Sequence, residues 1–225
     1  FAAVADINKT VEEPAESIHV NILGTLNLLE ACRKHGTKRF IFASSVYVQS
    51  KTGSFYRVAK HSCEMMIEEY ARRFSLEYTI LRFGTLYGKR SDHSNSVRNY
   101  ILQALKQKKI TLFGTGEEVR EYIHVYDAAE ISLEILSQKY SGKTMVLTGP
   151  HRVKLKDLID MINEILGGDV EIEYGQNKDA HYKLTPYSYE PNTGTKIVLN
   201  TYQDLGQGLV EMMSELDTHS SNDTQ

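Results

Sequence analysis

The sequence predicts an α/β fold built on a parallel sheet. Amphipathic helical stretches at 20–35 and 57–74 alternate with short apolar runs, Phe40-Ile41-Phe42-Ala43 and Tyr78-Thr79-Ile80-Leu81-Arg82-Phe83. A helix between consecutive buried strands is the crossover that parallel pairing requires. Hydrophobic residues make up 41% of 225, enough to fill the core of one large domain or two intertwined lobes.

The first helix carries Ile22, Leu26 and Leu29 at helical spacing, widened by Leu23, Leu28, Ala31 and Cys32, and Gly36 stands where a C-cap belongs. The apolar run 40–43 reads as a strand covered on both faces and ends in Ser44-Ser45. A polar loop leads to the second helix, with Ala59, Cys63, Met66, Tyr70 and Phe74 on one face. After the 78–83 strand the order changes. A helix is expected over 97–106, strands at 110–113 and 122–125, and a turn at Gly114-Thr115-Gly116. Asp127 and Glu130 make a capping-box pattern before a helix over 128–138. A strand at 145–147 and an amphipathic helix through Leu155, Leu158, Ile159, Ile162 and Ile165 follow. Residues 180–204 read as mostly loop, and the polar end as a disordered tail.

Composition removes several function classes. A net charge of -3 does not make the basic surface that nucleic acid needs. No apolar run approaches the roughly 20 residues that cross a bilayer, and no secretory leader is expected, since Phe1-Ala2-Ala3 leads straight into polar Asp6-Ile7-Asn8-Lys9. Cys32 and Cys63 form no CxxC or Cys/His cluster, and the eight histidines show no HExxH spacing, so no metal site is expected. His124 reads as a structural hydrogen-bonder. The expected setting is a reducing cytoplasm, without membrane or nucleic-acid partners.

A tyrosine four residues before a lysine on a helix puts phenol and ammonium on one face, where the cation favours phenolate. Three such pairs occur: Tyr47/Lys51, Tyr56/Lys60 and Tyr174/Lys178. By itself the spacing arises readily by chance. Tyr174/Lys178 and Tyr47/Lys51 fall in loop sequence, whereas Tyr56/Lys60 enters an amphipathic helix after a buried strand. The carboxyl ends of parallel strands and the helix starts that follow them line the ligand crevice. Ser44, Ser45, Tyr56 and Lys60 are therefore expected to converge.

Six ordered stretches over roughly the first 130 residues resemble the extended short-chain dehydrogenase/reductase family, in its nucleotide-sugar epimerase/dehydratase branch. They are Phe1-Ala2-Ala3, Pro14 with Asn21-Ile22-Leu23-Gly24-Thr25, Arg39 to Ser45, Tyr56-Arg57-Val58-Ala59-Lys60 with Glu64, Leu81-Arg82-Phe83 to Tyr87-Gly88, and Gly114-Thr115-Gly116 with Arg120 to Val125 and Asp127. The resemblance implies a Rossmann-like parallel sheet, truncated at its N-terminal side, with a smaller mixed α/β substrate lobe. Residues 1–90 would be the remainder of the NAD domain. Residues 91–215 would interleave the substrate lobe with returning sheet elements, and 216–225 would be the disordered tail.

It also implies roles. Tyr56 would be the acid/base, Lys60 its cation and the holder of the nicotinamide ribose, and Ser45 the hydroxyl bridging Tyr56 to the substrate oxygen. Ser44 is the alternative serine. Phe1, Ala2, Ala3, Asn21 and Gly84 would lie along NAD. Thr85, Asn95, Arg98 and Arg120 would face a nucleotide-diphosphate sugar, with Arg120 on the diphosphate. An isolated surface arginine serves equally as half of a weak ion pair, and that alternative stays open. A phenol titrates near 10, so work near neutrality needs a fall of about three pH units, about 4 kcal/mol. Lys60 and the cationic nicotinamide are expected to supply it.

Three departures qualify the resemblance. No G-x-x-G-x-x-G or G-x-G-x-x-G turn follows a strand, and Gly114-Thr115-Gly116 and Gly206-Gln207-Gly208 both lack the third glycine. This chain is therefore expected to bind NAD weakly or not at all, and a longer parent to bind it. Only ten residues separate Ser45 from Tyr56, which predicts an open mouth. Val46 and Tyr47 stand where 4,6-dehydratases carry an acidic pair. That favours epimerisation or simple oxidoreduction over water elimination. The expected activity is an NAD-dependent epimerase, with a nucleotide-sugar reductase or dehydrogenase and a non-catalytic binding or dimer module as alternatives. The helices at 16–35 and 57–74 would form a homodimer face.

Overall fold

The computed structural model describes residues 3–50, 53–175 and 195–222. In chain order, α1 (Ile7–Glu12), α2 (Pro14–Ile18), a π-helical stretch (His19–Leu23) and α3 (Gly24–His35) precede β1 (Arg39–Ser45). A 3-10 turn (Val46–Gln49) then leads to α4 (Ser54–Phe74), β2 (Glu77–Phe83) and β3 (Thr85–Tyr87). Next come α5 (Ser96–Gln107), β4 (Lys109–Phe113), β5 (Val119–His124), α6 (Val125–Glu134) and β6 (Lys143–Leu147). The chain continues through β7 (Arg152–Lys154), α7 (Leu155–Ile165), β8 (Glu171–Gly175), β9 (Thr195–Lys196) and α8 (Leu205–Asn222).

The chain divides into two compact units. The first holds the residues up to Phe83, Ile131–Leu147 and β9. Its sheet has the order β1-β2-β6-β9, every neighbouring pair parallel, with Ser44 opposite Arg82 and Ser45 opposite Phe83. This is the expected Rossmann-like parallel sheet. Leu29 of α3, Cys63 and Ile67 of α4, Phe42 of β1 and Ile80 of β2 make its core, all buried. Burying each large aliphatic side chain contributes about 1.5–3 kcal/mol. Gly36 takes φ 64 and ψ 34 as it ends α3, the left-handed conformation expected of a C-cap.

The second unit comprises Gly84–Glu130, residues 148–175 and the chain from Val198. It contains the sheet β3-β5-β7 and the parallel pair β4-β8. Its core joins Val97 and Ile101 of α5, Ile110 and Leu112 of β4, Leu158 and Ile162 of α7, and Leu209 and Met212 of α8. The first division falls after Phe83, where β2 ends, and the next falls inside α6.

Several local expectations need correction. The second helix begins at Ser54 rather than 57, which places Tyr56 in its first turn. Leu23 and Leu28 are exposed at 43% and 58%, so the buried stripe of α3 is narrower than the sequence indicates. Phe74 is likewise exposed, and Ile67 takes the core position on α4. β5 runs straight into α6 at Val125, so Asp127 lies inside the helix and caps nothing; its carboxylate accepts the Gln203 backbone N–H at 3.1 and 3.2 Å. Tyr174 sits on β8, paired in register with Leu112, not in a loop. Lys51 and Lys178 lie outside the described residues, as does most of the 180–204 segment, of which Thr195–Lys196 forms β9. The chain is helical through Asn222, where a disordered tail from 216 was expected.

Candidate functional site

β1 delivers two serines at its carboxyl end, and α4 returns over that end. Ser45 keeps extended backbone, φ -145 and ψ 151, and its Oγ accepts the Tyr47 N–H at 3.3 Å, capping the 3-10 turn. The Ser45 hydroxyl lies near enough to the Tyr56 phenol to favour its ionised form. One turn further along α4, the Lys60 Nζ donates to the Ala43 carbonyl at 2.7 Å. The same ammonium lies 5.8 Å from the centroid of the Tyr56 ring and 4.8 Å from that of Phe42. Ser45, Tyr56 and Lys60 are thus brought together within the first unit.

The electrostatics differ from expectation. Tyr56 is half-buried as a residue, but its hydroxyl end is densely surrounded, and its pKa is pushed up to about 12. Burial raises it most, the Ser45 hydroxyl opposes that, and the Tyr47 phenol adds to the rise. The same burial disfavours the charge on Lys60. Its pKa is lowered by desolvation, against the pull of Cys63 and Glu64. In the protein without ligand, Tyr56 is therefore a protonated phenol.

Behind Lys60 lies a buried ionic network that the sequence reading did not single out. Glu64, 3% exposed, takes the Arg82 guanidinium in a bidentate pair, Nε to Oε1 at 3.0 Å and NH2 to Oε2 at 2.6 Å. The Ser44 hydroxyl donates to the same Oε1. Ser44 is thereby committed to Glu64, leaving Ser45 as the serine that meets Tyr56. A signal for this pair was present: a lone arginine inside the apolar run Leu81-Arg82-Phe83 requires a buried counter-charge.

Asn21 sits in the π-helical stretch and clamps the start of the chain. Its Oδ1 accepts the Val4 N–H at 2.8 Å, and its Nδ2 donates to the Val4 carbonyl at 3.0 Å. The Asn21 carbonyl accepts the Thr25 hydroxyl at 2.7 Å and the Cys63 thiol at 3.2 Å, which accommodates the widened turn. Ala3, half-buried, precedes that clamp; Phe1 and Ala2 lie outside the described residues.

The other expected residues belong to the second unit. Gly84 begins it, and Thr85 follows on β3, opposite Tyr122 of β5. Asn95 is the N-cap of α5: its Oδ1 accepts the Arg98 N–H at 3.0 Å and its Nδ2 donates to Leu86 at 2.8 Å. Arg98 and Arg120 are half-buried, and among the described residues neither has a carboxylate within ion-pair distance. Arg120 donates to the Val119 carbonyl at 3.0 Å. His124 is 1% exposed, accepts the Tyr126 N–H at Nδ1 and meets Tyr87 and Tyr126 edge-on. Gly208 lets α8 approach these rings, since a Cβ there would lie 2.7 Å from Tyr87.

A surface cleft of about 540 Å³ in the first unit lies at the amino-terminal ends of β1 and β2, beside Arg39 and Glu77. It touches none of Ser45, Tyr56 and Lys60. Among the described residues no group of three or more His, Cys, Asp or Glu could hold a metal ion, and no helix is long and apolar enough to cross a membrane.

A family model for NAD dependent epimerases/dehydratases matches residues 1–148. The chain is 31% identical over 167 residues to an uncharacterised UDP-glucose epimerase, YtcB, of Bacillus subtilis, covering 68% of this chain and 53% of that protein. It is 26% identical over 200 residues to a UDP-glucuronate 4-epimerase of Thermodesulfobacterium geofontis, covering 82% and 61%. The chain thus spans little more than half the length of these curated relatives. Its fold matches the crystal structure of UDP-glucose 4-epimerase with UDP-glucose from Thermotoga maritima, with a TM-score of 0.82, 27% identity, and coverage of 98% of this chain and 76% of that one. With the parallel sheet and the matched stretch in agreement, the chain belongs to the NAD dependent epimerase/dehydratase family.

Proposed function

We propose that the protein takes part in NAD-dependent epimerisation of a nucleotide-diphosphate sugar, with Ser45, Tyr56 and Lys60 handling the proton. The observation that carries this is the Lys60 ammonium, 5.8 Å from the Tyr56 ring centroid and 2.7 Å from the Ala43 carbonyl, at the carboxyl end of β1 beside Ser45. The donor set fits the nicotinamide-ribose end of NAD. Lys60 spends one of its three N–H groups on Ala43, and the others suit a vicinal diol. No G-x-G-x-x-G turn in the sequence answers the pyrophosphate. NAD, when bound, supplies a hydride acceptor that returns the hydride later.

The chain's own residues move the proton. Ser45 orients the sugar hydroxyl toward Tyr56, which takes its proton as the carbon is oxidised and gives it back on reduction. Lys60 holds the ribose and contributes positive charge near the phenol. Because Tyr56 rests at about 12, the charge that makes it a base arrives with the cationic cofactor. The family contains both epimerases and dehydratases. Val46, 2% exposed, and Tyr47 follow Ser45 without a carboxyl, which favours epimerisation over elimination. The exposed apolar residues Ile18, Val20, Leu23 and Leu28 on one helical run, and Phe55, Val58 and Met65 on α4, support a homodimer face.

Incubation of the full-length protein with UDP-hexoses or dTDP-hexoses and NAD tests the reading. The C4 epimer is expected to accumulate to equilibrium without net growth of the NADH absorbance band. Stoichiometric NADH would instead identify a dehydrogenase, and identical turnover by Tyr56→Phe would remove the phenol from the chemistry.

A further inference from the structure

Lys60 is 6% exposed, and among the described residues no carboxylate lies within ion-pair distance of its ammonium. A buried charge ordinarily has a counter-ion. Lys60 has instead a carbonyl and two rings. Its Nζ donates to Ala43 at 2.7 Å, stands over the Phe42 ring 4.8 Å from its centroid, and lies 5.8 Å from the centroid of Tyr56. An ammonium within about 6 Å of a ring centroid is attracted by the negative face of the π system, most strongly where water is excluded. Phe42 is itself buried, so water is largely kept from the contact. Alternation along β1 puts Phe40, Phe42 and Ser44 on the face that α4 covers, the two rings stacking 6.4 Å apart. A leucine would fill the core beside Leu29, Ile67 and Ile80 as readily; only an aromatic ring offers the ammonium a negative face. The charged and titratable groups around Lys60 are Tyr56, Cys63 and Glu64 on its own helix, Tyr47 of the 3-10 turn beside Tyr56, and Arg82 of β2 beyond Glu64.

We propose that Phe42 is a positioning residue for Lys60: the face of its ring holds the buried ammonium at the Ala43 carbonyl, one helical turn from Tyr56. This deepens the reading above, since it bears on catalysis only if Tyr56 and Lys60 act as stated. Burial works against the charge on Lys60. A carboxylate at the place of the ring would offset that burial, but it would also cancel the positive charge and occupy the N–H groups left for the ribose diol. A ring face offsets part of the desolvation and adds no net charge, so the positive charge beside the phenol is retained.

The test replaces Phe42 in the full-length protein by mono-, di- and trifluorinated phenylalanine, introduced at that position alone. Each fluorine weakens the negative face and leaves the shape of the ring nearly unchanged. The titration of Lys60 is followed by NMR at its ε-carbon, assigned by loss of the signal in Lys60→Arg. Lys60 is expected to lose its proton at progressively lower pH along the series, and about one pH unit lower in Phe42→Leu, where no ring remains. Should Phe42→Leu fail to fold, the fluorinated series decides alone. A series in which Lys60 titrates as in wild type throughout would overturn the proposal and leave Phe42 a core residue only. No substrate enters this measurement. A graded Lys60 in a protein that turns over no nucleotide sugar would uphold the ring contact and refute the enzymatic reading separately.

Discussion

Ser44 on β1 stands directly opposite Arg82 on β2 in the parallel ladder, and both side chains reach the Glu64 carboxylate on α4. The arrangement joins three elements through charged groups that water does not reach. Removing one partner leaves an uncompensated charge, whereas removing both leaves none.

Arg82→Met is accordingly expected to destabilise the protein by about 3–5 kcal/mol, the usual effect of stranding one member of a buried pair. Adding Glu64→Leu should restore most of that loss. Urea unfolding with an unchanged m value measures both. A double variant no more stable than Arg82→Met would show that packing, not charge, is what fails.

Gly149 has ordinary backbone angles, yet it admits no side chain. A Cβ there would lie 1.8 Å from the Tyr122 carbonyl oxygen and 2.8 Å from its carbon. These are backbone atoms of β5, so relief requires moving a strand. Gly149→Ala should cost about 1–3 kcal/mol or more, read from the thermal or urea midpoint. A variant as stable as wild type would mean that β5 shifts freely.

His124 should make stability fall in mild acid. Burial lowers its pKa below the ordinary 6.5, with Asp127 and Glu211 opposing and Lys89 assisting. The folded state thus prefers the neutral ring. Its contribution is fully present above 6.5 and is lost as the pH drops toward the depressed folded value. His124→Gln keeps a polar side chain and removes the titration. The unfolding midpoint of wild type should decline from pH 7 to pH 5 more steeply than that of the variant. Parallel profiles would contradict the assignment.

The sheet of the first unit was legible because its strands are short apolar runs separated by helices of clear period. The convergence of Ser45, Tyr56 and Lys60 was legible because only one of three Tyr–Lys spacings enters an amphipathic helix after such a strand. What was not legible depended on distant partners. Asp127 matches a helix cap locally, but β5 enters α6 with no break and the carboxylate goes to Gln203, 76 residues away. Tyr174 belongs to a strand only because β4 lies beside it. Leu23 and Leu28 flank the stripe of Ile22, Leu26 and Leu29, and apolar character alone cannot tell how far the buried face extends. The rise of the Tyr56 pKa was not legible for the same reason, since desolvation depends on everything packed around the phenol.

The most direct measurement is the ultraviolet ionisation of Tyr56 in the full-length protein, taken as the difference between wild type and Tyr56→Phe, with and without oxidised NAD. Without cofactor the phenol should ionise near pH 12, against 10 for an ordinary tyrosine, with stability falling as the pH rises from 10 toward 12. Bound cationic nicotinamide should bring that ionisation below 10, toward neutrality. A phenol still titrating near 12 with the cofactor bound would contradict its role as the proton carrier.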